Sequence, residues 1–198
     1  MRYSKEHKNY TRSRIIEAAG RTFRKQGYIG AGIDGIMQAA GLSHGGFYAH
    51  FRSKDELLAE AIRVSMQRMR QHWFSGLEKL SGLEWLRELV ERYLSQQHRD
   101  EPELGCMMPP LVSELARAAE LPRAGFEATL CELVDQVAAK LPDDGPLTPR
   151  ERALATMALN VGAMALARAV NDKELSSEIL AASKKLALYD CQTASTSQ

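Results

Sequence analysis

Two short segments of helical spacing, joined by the turn AGLS, constrain the fold more than any other feature of this chain. The first segment has an apolar face formed by Ile33, Ile36, Met37 and Ala40. Gly41 ends that segment, and Ser43 can cap the next one, where Phe47 and Phe51 share an inner face. Two short helices joined by a short turn that contains glycine are typical of a helix-turn-helix motif.

A longer helix of about 15 residues is predicted before this motif, because apolar residues recur there at helical spacing. Its inner face consists of Ile15, Ile16, Ala19 and Phe23. Thr11 is its predicted cap, and Gly27 is its predicted end. We therefore assign residues 1–53 to a three-helix domain in which the helix-turn-helix covers about residues 33–52.

A long helix follows, because Ser53 and Glu56 have the spacing of a capping box and the apolar pattern continues to about Phe74. Further helices are predicted at residues 83–98, 107–119, 123–141, 148–170 and 173–189. No segment alternates with period two over a useful length. The predicted class is all-α, with a larger helical body at residues 54–190 and a disordered tail at 191–198.

Charged residues are distributed unevenly along the chain. Residues 1–56 contain ten Lys and Arg against five Asp and Glu, whereas the remainder is acidic. A basic N-terminal quarter indicates a polyanion partner. The sequence has no long apolar run, no secretory leader and no metal-site spacing among its three cysteines. We expect a cytoplasmic protein without membrane partner, metal or cofactor.

Two stretches, TRSRIIEAAGRTFRKQGY and IDGIMQAAGLSHGGFYAHFRSKDELL, resemble the DNA-binding head of TetR-type (tetracycline-repressor-like) transcriptional regulators. The matching residues are Ala18, Ala19, Phe23, Gly27, Tyr28, Ile36, Ala39, Ala40, Gly41, Ser43, Gly45, Tyr48, His50, Phe51, Lys54 and Leu57. The resemblance covers residues 10–60 and implies that the third helix enters the major groove. More loosely, the GFYAHF stretch and the Gly105-Cys106 element resemble an electrophile- and oxidant-responsive branch.

The predicted DNA contacts are Thr11, Arg14, Ser43, His44, Gly45, Gly46, Tyr48, His50 and Lys54. The resemblance implies that Tyr48 and Lys54 anchor phosphates, and we predict that His44 reads a base. Tyr48 as half-buried core and His50 as a structural residue remain alternatives. The family usually opens its second helix with a hydroxyl pair, and this chain has Ala31-Gly32 there, so that phosphate contact is not expected.

A head of three helices reads few base pairs, so a dimer on a palindrome is expected. The segment ERALATMALNVGAMALARAV is apolar on most sides, and we predict that it forms the dimer with the last helix. The predicted interface residues are Met157, Asn160, Gly162, Met164 and Ala167. Burial of this helix within its own protomer is the alternative.

The body is predicted to hold an effector sensor. Methionine and aromatic residues suit an adaptable apolar pocket, and the candidates are Met66, Met69, Trp73, Trp85 and Tyr93. Cys106 and Met107 come just before a predicted helix that Pro109 and Pro110 open. A helix N-terminus favours the reactive thiolate, so Cys106 is a candidate sensor of electrophiles, with an inert buried cysteine as the alternative.

Together these patterns predict a homodimeric repressor that a small molecule or thiol-reactive effector releases from a palindromic operator. An architectural DNA-binding protein without an effector is one alternative. A Cys106-dependent enzyme is another, but no histidine lies near Cys106 in sequence, so we do not expect an enzyme.

Overall fold

A computed structural model describes the backbone of residues 5–193 and the side chains of residues 5–189. Within those residues every regular element is a helix, which confirms the all-α class. The α-helices are α1 (Lys5–Gly30), α2 (Ile33–Ala39), α3 (Lys54–Phe74), α4 (Gly82–Tyr93), α5 (Gln96–Asp100), α6 (Met108–Leu115), α7 (Glu120–Ala138), α8 (Pro149–Ala169) and α9 (Lys173–Thr193). A 3₁₀ helix, His44–Ala49, lies between α2 and α3.

The chain forms two compact units. The first contains the residues up to Arg68 together with Pro102–Thr129. The second contains Met69–Glu101 together with the residues from Leu130 onward. The predicted functional division between residues 53 and 54 stays a prediction. The predicted tail lies outside the described residues except where α9 continues to Thr193.

In the first unit, α1 packs on α2 and α6, and α2 packs on the 3₁₀ helix. Its fully buried large side chains are Ile15, Phe23, Ile36, Met37, Phe47, Phe51, Leu57, Leu58 and Ile62. These include the residues at helical spacing around the AGLS turn, so the predicted helix-turn-helix is present. The second motif helix has 3₁₀ rather than α geometry, and Ser43 lies at its N-cap without a side-chain capping bond.

Helix α1 differs from its prediction at its start, since it covers Lys5 onward and Thr11 is a buried residue inside the helix and not its cap. The regular helix does break at Gly27, whose φ 71° and ψ 178° are not helical, and a short further segment continues α1 to Gly30. By contrast, α3 begins where predicted, because the Ser53 hydroxyl accepts the Glu56 N–H at 3.1 Å. The Glu56 carboxylate accepts the Arg52 N–H at 2.7 Å, one residue earlier than in a standard capping box.

In the second unit, α9 packs on α8 and α4, and α5 packs on α8. The predicted helix at residues 83–98 is two helices, because the Ser95 hydroxyl accepts the His98 N–H at 3.1 Å and starts α5. Helix α7 begins at Glu120, before the predicted residue 123, since Pro122 is tolerated in a first turn. No helix among the described residues is long and apolar enough to cross a membrane.

Candidate nucleic-acid interface

The outer surface of the helix-turn-helix consists of small and polar groups. Ser43, His44, Gly45 and Tyr48 are exposed, and the Tyr48 side chain is 64% accessible. Phe47, between them in sequence, is fully buried, and its ring meets the Tyr48 ring edge-on at 5.1 Å. The fold therefore anchors this helix through Phe47 and leaves Tyr48 free to meet a partner, against the alternative that Tyr48 is core.

Neither glycine of the Gly45-Gly46 pair is required by the fold. Neither has a positive φ, which would favour glycine. A Cβ at Gly45 would meet nothing within 4 Å, and one at Gly46 would be 3.6 Å from Met37 Cε, an ordinary contact. The missing side chains therefore give no packing advantage inside the molecule. What they provide is clearance on the outer surface, as close approach to DNA requires.

Asp34, in the first turn of α2, pairs with His44 at the start of the 3₁₀ helix. The carboxylate Oδ1 accepts the proton of His44 Nδ1, so the imidazole is held from one side. The edge of the ring faces Tyr48, with centroids 6.2 Å apart. Asp34 therefore orients His44 and does not cap α2, whose N-cap Gly32 has no side-chain capping bond.

Thr11 and Arg14 are two predicted DNA contacts on α1. Thr11 is buried, and Arg14 is half-buried. Thr11 is only 8% exposed, which argues against a contact with DNA, and that contact stays a prediction. The Arg14 guanidinium donates to the Ala40 carbonyl at 2.6 Å, at the start of the AGLS turn. A Cβ at Gly41, where φ is +66°, would lie 2.9 Å from Arg14 Nη2. Arg14 thus holds the turn, and its DNA contact stays a prediction.

Lys54 belongs to a cluster around Tyr28 at the end of α1. Its ammonium donates to the Tyr28 carbonyl at 2.5 Å and lies 4.2 Å from the centre of the Tyr28 ring. The Tyr28 hydroxyl donates to Asp55 Oδ1 at 2.5 Å. Burial lowers the pKa of Lys54, while the Glu114 and Asp55 carboxylates oppose that change. Lys54 is only half-buried, so a phosphate contact stays a prediction.

Glu114, on α6, joins the same cluster and was not predicted from the sequence. Its two carboxylate oxygens accept the N–H groups of Tyr28 and Ile29 at 2.6 and 3.1 Å. A Cβ at Gly27 would lie 2.8 Å from Glu114 Oε2, so glycine is needed there for both space and backbone conformation. Glu114 lies 86 residues from Tyr28, and no local pattern marks such a contact.

His50 ends the 3₁₀ helix and is half-buried, which fits its structural alternative better than an exposed phosphate contact. Within the described part of the chain, its Nδ1 is buried without a hydrogen-bond partner. Burial lowers its pKa, and the positive charges of Lys8, Arg12 and His7 lower it further. Arg52, two residues later, is exposed, and the sequence analysis did not select it.

All of the predicted sensor residues are buried: Met66, Met69, Trp73, Trp85, Tyr93, Cys106 and Met107. They are divided between the units, since Met66, Cys106 and Met107 belong to the first and the others to the second. In the second unit a cavity of about 670 Å³ is lined by Phe74, Leu77, Trp85 and polar residues. Trp85 is the predicted residue that lines it. No cluster of metal-ligand residues occurs among residues 5–189.

The predicted dimer residues fall on two sides of α8. Asn160, Met164 and Ala167 are buried inside the protomer, whereas Gly162 is exposed and Met157 is half-buried. A Cβ at Gly162 would meet nothing within 4 Å, so its surface is open. The predicted helix is therefore partly core, as the alternative held. An alanine-rich helix that is apolar on most sides does not reveal which side faces inward.

The sequence pattern of the bacterial regulatory proteins of the tetR family matches residues 15–61, which contain α2, the 3₁₀ helix and most of the cluster around Tyr28. Residues 15–61 therefore carry the N-terminal DNA-binding domain of the tetR family. Over 93 residues it is 38% identical to the probable HTH-type transcriptional regulator ArpR of Pseudomonas putida. That match covers 46% of this chain and 44% of ArpR, so the chain spans less than half of this relative's length.

Solved TetR-family structures share the fold over nearly the whole chain. The reduced form of Escherichia coli NemR matches with a TM-score of 0.73 and 19% identity, over 89% of this chain and 94% of NemR. AibR, solved with isovaleryl coenzyme A and operator DNA, matches with a TM-score of 0.63 and 18% identity, over 89% and 97%. At these identities the likeness concerns the fold. The named relatives are transcriptional regulators, not enzymes.

Proposed function

We propose that this chain is a homodimeric, DNA-binding transcriptional repressor whose affinity for a palindromic operator is lowered by an effector. The observation that carries the proposal is the Gly45-Gly46 pair on an exposed helix-turn-helix surface. The fold needs neither glycine, and a surface of backbone, Ser43, His44 and Tyr48 suits close approach to a duplex. The AibR structure with operator DNA supports this use of the fold.

Dimer formation is supported by an exposed apolar stripe on α9. Leu175, Ala182, Leu186 and Tyr189 follow helical spacing, and each is exposed although α9 already packs on α8 and α4. On α8, Leu154, Ala158, Gly162 and Leu166 are also exposed at helical spacing. Exposed apolar rows on two adjacent helices mark an interaction surface, and a second copy would form a four-helix bundle.

An effector is supported by two separate features. The cavity in the second unit offers Phe74 and Trp85 as apolar walls, with Arg70 and Lys140 among its polar residues. In the first unit, Cys106 lies directly before α6, and its Sγ accepts the Met108 N–H at 3.3 Å. A small molecule with an apolar part suits the first feature, and a thiol-reactive electrophile suits the second.

The surroundings of Cys106 connect it with α1. The Arg24 guanidinium donates to the Glu103 carbonyl at 2.6 Å and to the Ser65 hydroxyl at 3.2 Å. Burial lowers the pKa of Arg24, and a negative charge at Cys106 would oppose that change. A change of charge or size at Cys106 would therefore be felt by Arg24 and so by the helix that begins the DNA-binding head.

Selection from a library of random duplexes tests the DNA-binding proposal. We expect the chain to enrich a palindrome with half-sites about 10 base pairs apart, because two heads of a dimer meet successive major grooves. Uniform binding to all sequences would instead support an architectural protein without an operator.

Treatment with N-ethylmaleimide tests the thiol part of the proposal on the selected duplex. The Cys106 thiol would add across the maleimide double bond, forming an S–C bond while the thiol proton passes to the other alkene carbon. We expect modified wild type to release the duplex, and Cys106→Ser to retain it. Cys131→Ser is the control, because that thiol is exposed. Equal release from Cys106→Ser and wild type would identify Cys106 as inert.

A further inference from the structure

Asp34 is an unexpected residue on a surface that meets DNA. It is the one acidic residue in the sequence from Ala31 to Ser53, and its side chain is 83% exposed. A carboxylate beside a duplex repels phosphates and weakens binding to every sequence. Its place in the first turn of α2 stabilises that helix through the helix dipole. That stabilisation does not require the carboxylate to lie on the surface that meets DNA.

The contact with His44 gives Asp34 a more specific role. His44 Nδ1 must be the protonated nitrogen, because a carboxylate oxygen can only accept. In a neutral imidazole the other nitrogen, Nε2, is then an acceptor. Nε2 makes no hydrogen bond within residues 5–189, and the His44 side chain is 52% exposed. The ring also faces Tyr48, so its orientation is restricted from two sides.

We infer that Asp34 is a positioning residue for base recognition: it fixes the His44 tautomer that presents Nε2 as an acceptor to the major groove. In that groove adenine N6 and cytosine N4 present amino donors, whereas guanine N7 and O6 and thymine O4 only accept. His44 therefore selects an adenine or a cytosine at one position of each half-site. The charge of Asp34 lowers affinity for every sequence, while its contact with His44 provides that discrimination between bases. The inference rests on the proposed DNA-binding function.

The probe is a library of duplexes with about 20 random base pairs, enough for two half-sites. Wild type, Asp34→Ala and His44→Ala are each used to select from it at one pH and one salt concentration. We expect wild type to enrich, at a symmetric pair of positions, base pairs in the one orientation that presents the adenine or cytosine amino group to His44. Both variants should lose at least about fivefold in that preference, at the same positions, and keep the others. The double variant should lose no more than His44→Ala.

A second measurement separates positioning from a structural role. On a duplex of unselected sequence, Asp34→Ala should bind more tightly than wild type, because one repulsive charge is gone. A damaged fold would not give higher general affinity together with lower selectivity. Thermal unfolding should show at most the small loss expected from removing a first-turn acid of α2. Glu6→Ala is the matched control, since Glu6 is exposed on α1 and removes the same charge from the same unit without touching His44.

The outcomes distinguish the inference from the proposed function. Selection of no sequence by wild type overturns the proposed function and the inference together. If wild type and Asp34→Ala select the same bases equally strongly, the inference is overturned and the proposed function stands. A loss at positions other than those that His44→Ala changes also overturns it, as does equal enrichment of both orientations of a base pair at those positions.

Discussion

At the scale of single residues, Gly45 of the helix-turn-helix is not required by the fold but is expected to matter for DNA binding. A methyl group at Gly45 meets nothing inside the molecule, and its φ is not positive. We expect Gly45→Ala to leave thermal stability unchanged or slightly higher, because alanine restricts the unfolded chain. DNA affinity should fall at least about tenfold, since a methyl group then lies where the duplex approaches. Calorimetry and fluorescence anisotropy give the two values.

Gly145→Ala is the control for that experiment. Gly145 is also exposed and has no positive φ, a Cβ there would lie 3.7 Å from Arg152 Nη2, an ordinary contact, and the residue belongs to the second unit. Unchanged affinity in Gly45→Ala would remove the main support for close approach at this point of the surface.

His98 belongs to the second unit, and its burial predicts a dependence of stability on pH. Burial is the largest influence on its pKa and lowers it to about 4; the hydrogen bond that Nδ1 donates to the Tyr93 carbonyl opposes this, and the Arg168 charge adds to it. An unfolded chain protonates His98 below pH about 6.5, while the folded chain does not until pH about 4. Stability therefore falls as pH falls through that window, by up to about 3 kcal/mol.

Urea unfolding between pH 4 and 8 measures this dependence. His98→Gln should flatten the decline below pH about 6.5, because no buried imidazole then resists protonation. His72→Gln removes an exposed histidine from the same unit and serves as the control. An equally steep decline in His98→Gln and wild type would assign the dependence to other groups.

At the scale of elements, the carboxylate of Glu114 holds the end of α1 on α6. Glu114→Ala leaves the Tyr28 and Ile29 N–H groups without their acceptor, and we expect the free energy of unfolding to fall by about 1–3 kcal/mol. Gly27→Ala should also destabilise, through its positive φ and the contact with Glu114 Oε2. Denaturant unfolding of each variant measures both losses.

The double variant Gly27→Ala/Glu114→Ala supplies the sharper measurement. Without the carboxylate, alanine at position 27 keeps its φ strain but loses its steric clash. The double variant should therefore lose less free energy of unfolding than the sum of the losses in the two single variants. Glu127→Ala, an exposed glutamate of the same unit, should cost little. Additive losses would show that Glu114 and Gly27 act independently.

Elements with local signals were predictable from sequence, and those that depend on distant partners were not. The start of α3 follows from Ser53 and Glu56, three residues apart, and the helix-turn-helix follows from its own apolar spacing. The break of the helix at Gly27 was predictable, but its support was not, because the carboxylate that accepts the next N–H belongs to Glu114 on α6. Likewise the sequence near Arg14 does not reveal that its guanidinium holds the turn at Ala40, 26 residues away.

At the scale of the whole molecule, the remaining question is which surface a second copy would cover. The apolar stripe on α9 is the candidate, and Leu186 is its most exposed leucine at 65%. We expect wild type to sediment at twice the 22.0 kDa of the chain. Leu186→Glu should sediment as a monomer with little change in protomer stability, because an exposed position tolerates a charge while a dimer core does not. Affinity for a palindromic duplex should fall with it, since one head makes half the contacts.

Leu104→Glu is the matched control, because Leu104 is equally exposed at 72% but belongs to the first unit. It should remain dimeric, which shows that one added charge does not by itself disperse the protein. A dimeric Leu186→Glu would move the interface away from this stripe. A monomeric Leu186→Glu that still binds the palindrome as tightly as wild type would break the link between dimer formation and operator binding. If Leu186→Glu loses both the dimer and its affinity for the palindrome, the α9 surface forms the dimer and the two heads bind the operator as one unit.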